Sequence, residues 1–332
     1  MPQPTWRPGT WPWLPTTPGA PRLRVIIDND FAGDPDDLYQ VVHHLLSPSV
    51  DIRGIICSHL PVHDPWYTDD SADQARRVME RLADVMRLDT TGLLVTGSND
   101  SLASRTEPRR TGAAELIITE ALRTDTDVPL VVVCGGGLTD LASAYLMEPS
   151  IAGRLLVIWI GGPEHEGLGL RPAGITGPEY NLRIDITAAQ VVLNDSPLPL
   201  WLVPRNMYRQ CLVSDAELRL RVANRGELGA HLYEAIQRVR DLVESKGAGF
   251  GETYALGDSP LVLLTALQSY FQPDPSSSDY VVRPCPEVGD DGEFAGGPGG
   301  RAVRVYTRVD TRLMFEDMFL KIDELAGWLA TA

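Results

Sequence analysis

Short runs of continuous apolar residues alternate along this chain with stretches in which apolar side chains recur every three or four positions. Residues 23–27, 52–57, 93–95, 130–133, 155–160 and 200–203 form the runs, several of them rich in β-branched residues. Residues 36–46, 69–86, 113–123, 138–147 and 187–193 have helical spacing; in 69–86, Ala72, Ala75, Val78, Met79, Leu82 and Ala83 share one side. Strands that are apolar throughout are covered on both faces, so the alternation predicts an α/β fold with an open, mostly parallel sheet of Rossmann type between helices. After residue 210 the pattern turns helical over 216–224, 228–245 and 259–270. Strands return at 280–282 and 302–307, and a last helix spans 311–329, so helical additions are expected toward the C-terminus. The Gly- and Asp-rich stretch 284–301 reads as a loop or hairpin tip. There is no internal repeat and no clear linker. The expected organisation is an extended N-terminal arm, residues 1–21, followed by a single domain, residues 22–332.

Composition narrows the classes of function. With 332 residues, 43 % hydrophobic and 22 % charged, the chain has the make-up of a folded protein. Its 45 acidic residues outweigh 29 basic ones, a net charge of −16, which argues against nucleic acid or an anionic membrane as partner. Cys57, Cys134, Cys211 and Cys285 are isolated from one another, so no zinc or redox motif is present and buried reduced thiols are expected. Residues 1–21 are rich in Pro, Trp and Thr and hold no apolar run of the kind a secretory signal carries. Together these features predict a cytoplasmic location.

The chemistry is concentrated where strands end, the place at which open parallel sheets bind ligands. The first strand runs into Asp28-Asn29-Asp30-Phe31-Ala32-Gly33-Asp34-Pro35-Asp36-Asp37. Asp36 or Asp37 alone would serve as a helix-start residue. Five aspartates in ten residues cannot all stay ionised side by side without a counter-charge, and a hard divalent cation with oxygen ligands supplies one. The middle strand leads into Gly135-Gly136-Gly137-Leu138-Thr139-Asp140, which lacks the third glycine of a dinucleotide fingerprint because Asp140 stands in its place. Gly161-Gly162 and then Glu179-Tyr180-Asn181 follow, and Tyr254-Ala255-Leu256-Gly257-Asp258 precedes a helix that Asp258 could equally cap.

The order of these four motifs, together with Arg304-Val-Tyr-Thr-Arg-Val-Asp-Thr-Arg312, resembles the calcium-dependent nucleoside hydrolases of the inosine/uridine-preferring type over most of residues 23–325. The resemblance implies hydrolysis of the N-glycosidic bond of a ribonucleoside or related N-riboside, a Ca²⁺ cofactor, and a homodimer or homotetramer. Carried over by position, Asp30 matches the aspartate that both binds calcium and activates water. Asp37 and Asp258 match carboxylate ligands, and Thr139 matches a ligand acting through its backbone carbonyl. Asp36, Glu179 and Asn181 match groups that hold ribose hydroxyls, and Asp28 a supporting aspartate.

The chain departs from the family pattern in the half that would recognise the base. The first loop is two residues longer than the commoner form, with Asp34-Pro35 added, and Gly257 stands where a histidine often serves the leaving base. His59, His63 and His165 follow strand ends and are candidates for the leaving-group acid, as is Tyr254; each is also explained as a loop residue bonding backbone. His43, His44 and His231 read as structural. Trp66, Tyr67, Tyr180 and Tyr208 can stack on a base or simply pack. Two rival readings remain open: a metal-dependent riboside-binding protein without hydrolysis, motivated by Gly257, and a haloacid-dehalogenase-type phosphatase, which also begins strand-D-x-D. The second needs a basic group for its phosphoryl substrate, yet the chain has only two lysines, Lys246 and Lys321, both in helical context; an arginine could substitute, but Gly-Gly-Leu-Thr-Asp and Glu-Tyr-Asn would then be unexplained.

Overall fold

A computed structural model describes residues 4–269, 277–295 and 300–331. The first residues of the expected arm, the end of the expected 259–270 helix and part of the 284–301 loop lie outside the described residues. The main sheet contains β1 (Leu23–Asn29), β2 (Val50–Cys57), β3 (Leu94–Thr96), β4 (Leu130–Cys134), β5 (Leu155–Ile160) and β6 (Leu200–Val203). Two antiparallel ribbons stand apart from it: β7 (Leu212–Ser214) with β8 (Thr253–Ala255), and β10 (Glu287–Val288) with β11 (Phe294–Ala295). β9 (Ser278–Pro284) and β12 (Ala302–Val309) complete the sheet in the order β3-β2-β1-β4-β5-β6-β12-β9, parallel except for β9.

Side chains alternate along the central strands into two separate cores. Val25 and Ile27 of β1 join Val131 and Val133 of β4 on one face, while Ile26 joins Val132 and Cys134 on the other. The first core is covered by α1 (Asp36–Leu45) and α2 (Ser71–Met86), the second by α3 (Gly112–Ala121) and α4 (Thr139–Met147). Two short helices, α5 (Tyr180–Ile184) and α6 (Ile186–Gln190), extend the second layer; α7 (Arg205–Tyr208) and α8 (Asp215–Glu217) follow β6 and β7. The first layer is then enlarged by α9 (Gly226–Ser245), α10 (Pro260–Thr265) and α11 (Thr311–Thr331). The expected α/β architecture is therefore present, with its additional helices gathered on one face.

Some elements differ from expectation. The predicted helices over 187–193 and 216–224 each widen into a π turn, at Val191–Asp195 and Leu218–Val222. Strands β7 and β8 and helices α5 and α7 are three to five residues long, too short to show a period. Near the N-terminus, Trp6 is buried and donates its indole N–H to the Met86 carbonyl at 2.8 Å, and Trp11 donates to the Leu45 carbonyl at 3.1 Å. All four cysteines are buried free thiols. Among the described residues no helix is long and apolar enough to cross a membrane.

Strand order reverses between β1 and β4. A chain that leaves these neighbours toward opposite faces opens a crevice at their carboxyl ends.

Candidate active site

The crevice is a cavity of about 390 Å³. From the first loop and the start of α1 it takes Asp30, Asp34, Asp36 and Asp37; from the end of β4, Gly135; from the turn before α10, Gly257 and Asp258. Asp30, Asp37 and Asp258 are buried. Asp36 and Asp37 open α1, where the helix dipole favours negative charge. Asp36 Oδ2 also accepts the Asp258 backbone N–H at 3.2 Å, joining the first loop to the late one.

The glycines after β4 are shaped by these carboxylates. A Cβ on Gly135 would lie 1.9 Å from Asp258 Oδ2, and one on Gly136 would lie 2.5 Å from Asp30 Oδ1. The run of glycines therefore serves close approach of aspartate oxygens to backbone. Asn29 holds the group from behind. Its Oδ1 accepts the Gly135 N–H at 2.8 Å, while Nδ2 lies 2.8 Å from Asp37 Oδ1 and 2.9 Å from Asp258 Oδ2.

Burial pushes the Asp30, Asp36, Asp37 and Asp258 carboxyls well above the usual carboxylate range, and neighbouring acids push further: Asp37 on Asp30, Asp258 on Asp37, Asp34 on Asp36, and Asp36 on Asp258. No lysine or arginine lines the cavity among the described residues. An all-oxygen, negatively charged set without a cationic side chain fits a hard divalent cation. No three His, Cys, Asp or Glu side chains among the described residues already close around one point. The shared features are the glycine cradle and the Asn29 amide. Asp28 lies deeper, buried beside Asp140.

The opposite wall comes from the segment after β5. Glu179 is fully buried and caps α5, accepting from Leu182 N at 3.1 Å, Gly162 N at 2.9 Å and the Tyr208 hydroxyl at 2.6 Å. Asn181 donates through Nδ2 to the carbonyls of Gly135 and Ile160, which leaves Oδ1 for a ligand. Tyr180 donates its hydroxyl to Asp64 Oδ2 at 2.5 Å. Trp66, Tyr180, Tyr208 and Val239 add aromatic and apolar side chains to the lining, with Glu179 and Asp64 among them. At Gly257 an added Cβ would lie 3.2 Å from both Tyr208 Cδ2 and Asp36 Oδ2, a tight approach on either side.

Of the residues singled out from sequence, the structure brings Asp30, Asp36, Asp37, Glu179, Asn181 and Asp258 to one cavity. Five others need correction. Thr139 sits inside the first turn of α4: its carbonyl accepts the Ser143 hydroxyl at 2.7 Å and its own hydroxyl donates to Asp185 Oδ2 at 2.8 Å. Gly135, and not Thr139, lines the cavity, and its carbonyl accepts from Asn181 Nδ2. His59 is buried away from the cavity, its ring nitrogens 3.1 Å from the Leu60 carbonyl and 2.9 Å from Thr139 Oγ1. His63 is exposed and does not line the cavity. His165 lines a different cavity, edge-on to Phe294 at 5.3 Å, and burial lowers its pKa to about 4. Tyr254 reaches the first loop only by donating to Asp34 Oδ1. Asp64 escaped the sequence reading, and Asn29 and Gly135 were read only as members of their motifs; the polar Asn29 between two aspartates was the one available signal.

Residues 25–316 match the family model described as inosine-uridine preferring nucleoside hydrolase. No curated protein sequence matches the chain. Among solved structures it is similar to an inosine-guanosine nucleoside hydrolase at 19 % identity and TM-score 0.68, covering 91 % of this chain and 98 % of that one. A plant nucleoside hydrolase matches at 19 % identity and TM-score 0.67, over 91 % and 99 % of the two chains. A purine-preferring ribonucleoside hydrolase from Gardnerella vaginalis matches at 18 % identity and TM-score 0.64, again over 91 % and 99 %.

Proposed function

The chain belongs to the inosine-uridine preferring nucleoside hydrolase family and is a hydrolase acting on N-glycosyl bonds, and from that premise we propose that it cleaves an N-riboside with Asp30 as general base beside a calcium ion. Asp30, Asp37 and Asp258 would hold the ion, with the Gly135 carbonyl in the place first expected for Thr139. When bound, calcium supplies oxygen coordination that orients vicinal ribose hydroxyls and acidifies a water. The convergence of Asp30, Asp37 and Asp258 on a glycine-lined pocket without a basic side chain carries this reading.

The protein's own groups then act in sequence. Asp36, Glu179 and Asn181 present oxygens to the sugar hydroxyls. Asp30 removes a proton from the attacking water as it adds to C1′. The bond from C1′ to the base nitrogen breaks with both electrons leaving on the base, and the oxocarbenium-like centre is stabilised by the surrounding carboxylates. Water and riboside thus become ribose and free base, the base taking up a proton. Trp66, Tyr180 and Tyr208 enclose the departing base in place of the expected histidines. Further parts of this proposal are a homodimer or homotetramer, read by light scattering, and a cytoplasmic setting, read by fractionation.

Inosine, uridine and p-nitrophenyl riboside, each incubated with the protein, should release ribose. A calcium chelator should stop that release and added calcium should restore it. Undiminished release in chelator overturns the cation assignment, and tight riboside binding without release returns the binding-protein reading.

A further inference from the structure

The cavity carboxylates are tied to a polar chain that crosses the core behind them. Its far end is Thr265, the last residue of α10, whose hydroxyl donates to the Leu261 carbonyl at 2.7 Å. That oxygen therefore accepts from His44 Nε2, 2.8 Å away. His44 Nδ1 is left as an acceptor and takes a hydrogen from Gln40 Nε2. Burial holds the His44 pKa well below its ordinary value, so the ring is neutral and keeps that acceptor. Gln40 Oε1 is thereby aimed at Asn29 Nδ2, 3.0 Å away. Gln40 and His44 are fully buried, and Thr265 nearly so.

Asn29 is where direction matters. Its Oδ1 is committed to the Gly135 N–H, so Nδ2 faces three acceptors, Gln40, Asp37 and Asp258, with only two hydrogens. Three acceptors thus compete for two hydrogens, which draws a carboxylate from α1 and a carboxylate from the turn before α10 onto one donor. Without Gln40 only the two carboxylates would compete for those hydrogens, and their placement about Asn29 would change.

We propose that Gln40, His44 and Thr265 are positioning residues that set the spacing of Asp37 and Asp258 for the cation. The role rests on the cation site proposed above. Each residue acts through Asn29, and none lines the cavity. Partners behind a metal's ligands typically govern affinity by about 10–100-fold. A buried hydrogen-bond chain with every donor directed resists rearrangement more than its separate bonds do.

The test is calorimetric titration of calcium into the chelator-stripped, full-length protein. Gln40→Met should weaken calcium binding by about tenfold, with the melting temperature of the calcium-free protein near wild type and KM for riboside at saturating calcium unchanged. Thr265→Val, which acts through three intervening side chains, should weaken it by about threefold, and Thr265→Ser should restore the wild-type value. Wild-type calcium affinity in folded Gln40→Met and Thr265→Val overturns the positioning role while leaving the cation site standing. Absence of calcium binding by the wild-type protein overturns the cation reading itself and this role with it. If Gln40→Met does not fold, the Thr265→Val and Thr265→Ser pair decides by the same criterion.

Discussion

The carboxylates and the aromatic rings that line the cavity are supplied in different ways. Asp30, Asp37 and Asp258 sit at the end of β1 or near the starts of α1 and α10. Asp37 and Asp258 are held by Asn29, and Asp258 and Asp30 lie against the backbone of Gly135 and Gly136. Among the other lining residues, Asp64 and Trp66 come from the loop after β2, Tyr208 from the four-residue α7, and Val239 from a helix among the C-terminal additions. The first set inherits its geometry from the sheet; the second is assembled from elements that can vary without disturbing it. Chemistry placed on the sheet and recognition placed on its periphery let one fold keep a reaction while changing the leaving group.

The sharpest way to break this comparison is Asp30→Asn, which keeps shape and removes the base. We expect kcat for ribose release to fall by about 10³-fold, with circular dichroism unchanged; a mutant within tenfold of wild type would show that Asp30 is not the base. Gly135→Ala places a methyl carbon 1.9 Å from Asp258 Oδ2. A displacement of about 1 Å should cost about 10²-fold in kcat/KM, and steady-state kinetics across a calcium series would read it.

Proton competition should give a smaller effect. Carboxyls whose pKa is raised in the folded, calcium-free protein hold protons at pH values where unfolded carboxyls do not. Their stabilising contribution is complete below the unfolded value and is lost as pH rises through the native one. Calcium must displace those protons, so its affinity should fall by about tenfold per pH unit for each proton displaced below the native value, and level off above it. Calorimetry in buffers of different ionisation enthalpy would register net proton release; no release at any pH would contradict the shifts.

Two substitutions probe the periphery. Trp66→Ala should raise KM about fivefold with kcat nearly unchanged, because it removes a wall and leaves the reacting centre intact; a fall in kcat alone would assign Trp66 a chemical role. His165→Ala should stay within about twofold of wild-type kcat/KM, because its ring lines the other cavity. A large loss there would restore the histidine as leaving-group acid.

What was legible in sequence follows the same division. Asp36, Asp37 and Asp258 stand beside helix starts, and Asp30 directly follows a buried strand, so local pattern and the end-of-strand rule were enough to gather them. Thr139 lies four residues past the position that lines the cavity. Gly-Gly-Gly-Leu-Thr does not reveal where strand gives way to helix, and the lining residue is the first glycine. His59 and His165 do follow strand ends, yet their rings point to Thr139 and to Phe294. Side-chain direction in a loop depends on what packs against it.

The sequence by itself determined the alternation of buried strands and amphipathic helices, the excess of aspartate at strand ends, and the run of glycines that lets carboxylates approach backbone. These are local properties, set by periodicity and residue size. Only the tertiary structure decided that Asn29 would lie between Asp37 and Asp258, that Tyr208 would occupy the space beside Gly257, and that Gln40, His44 and Thr265 would form one directed chain. Each joins residues distant in sequence whose meeting depends on strand order and helix placement, and the net charge of −16 contains no trace of them.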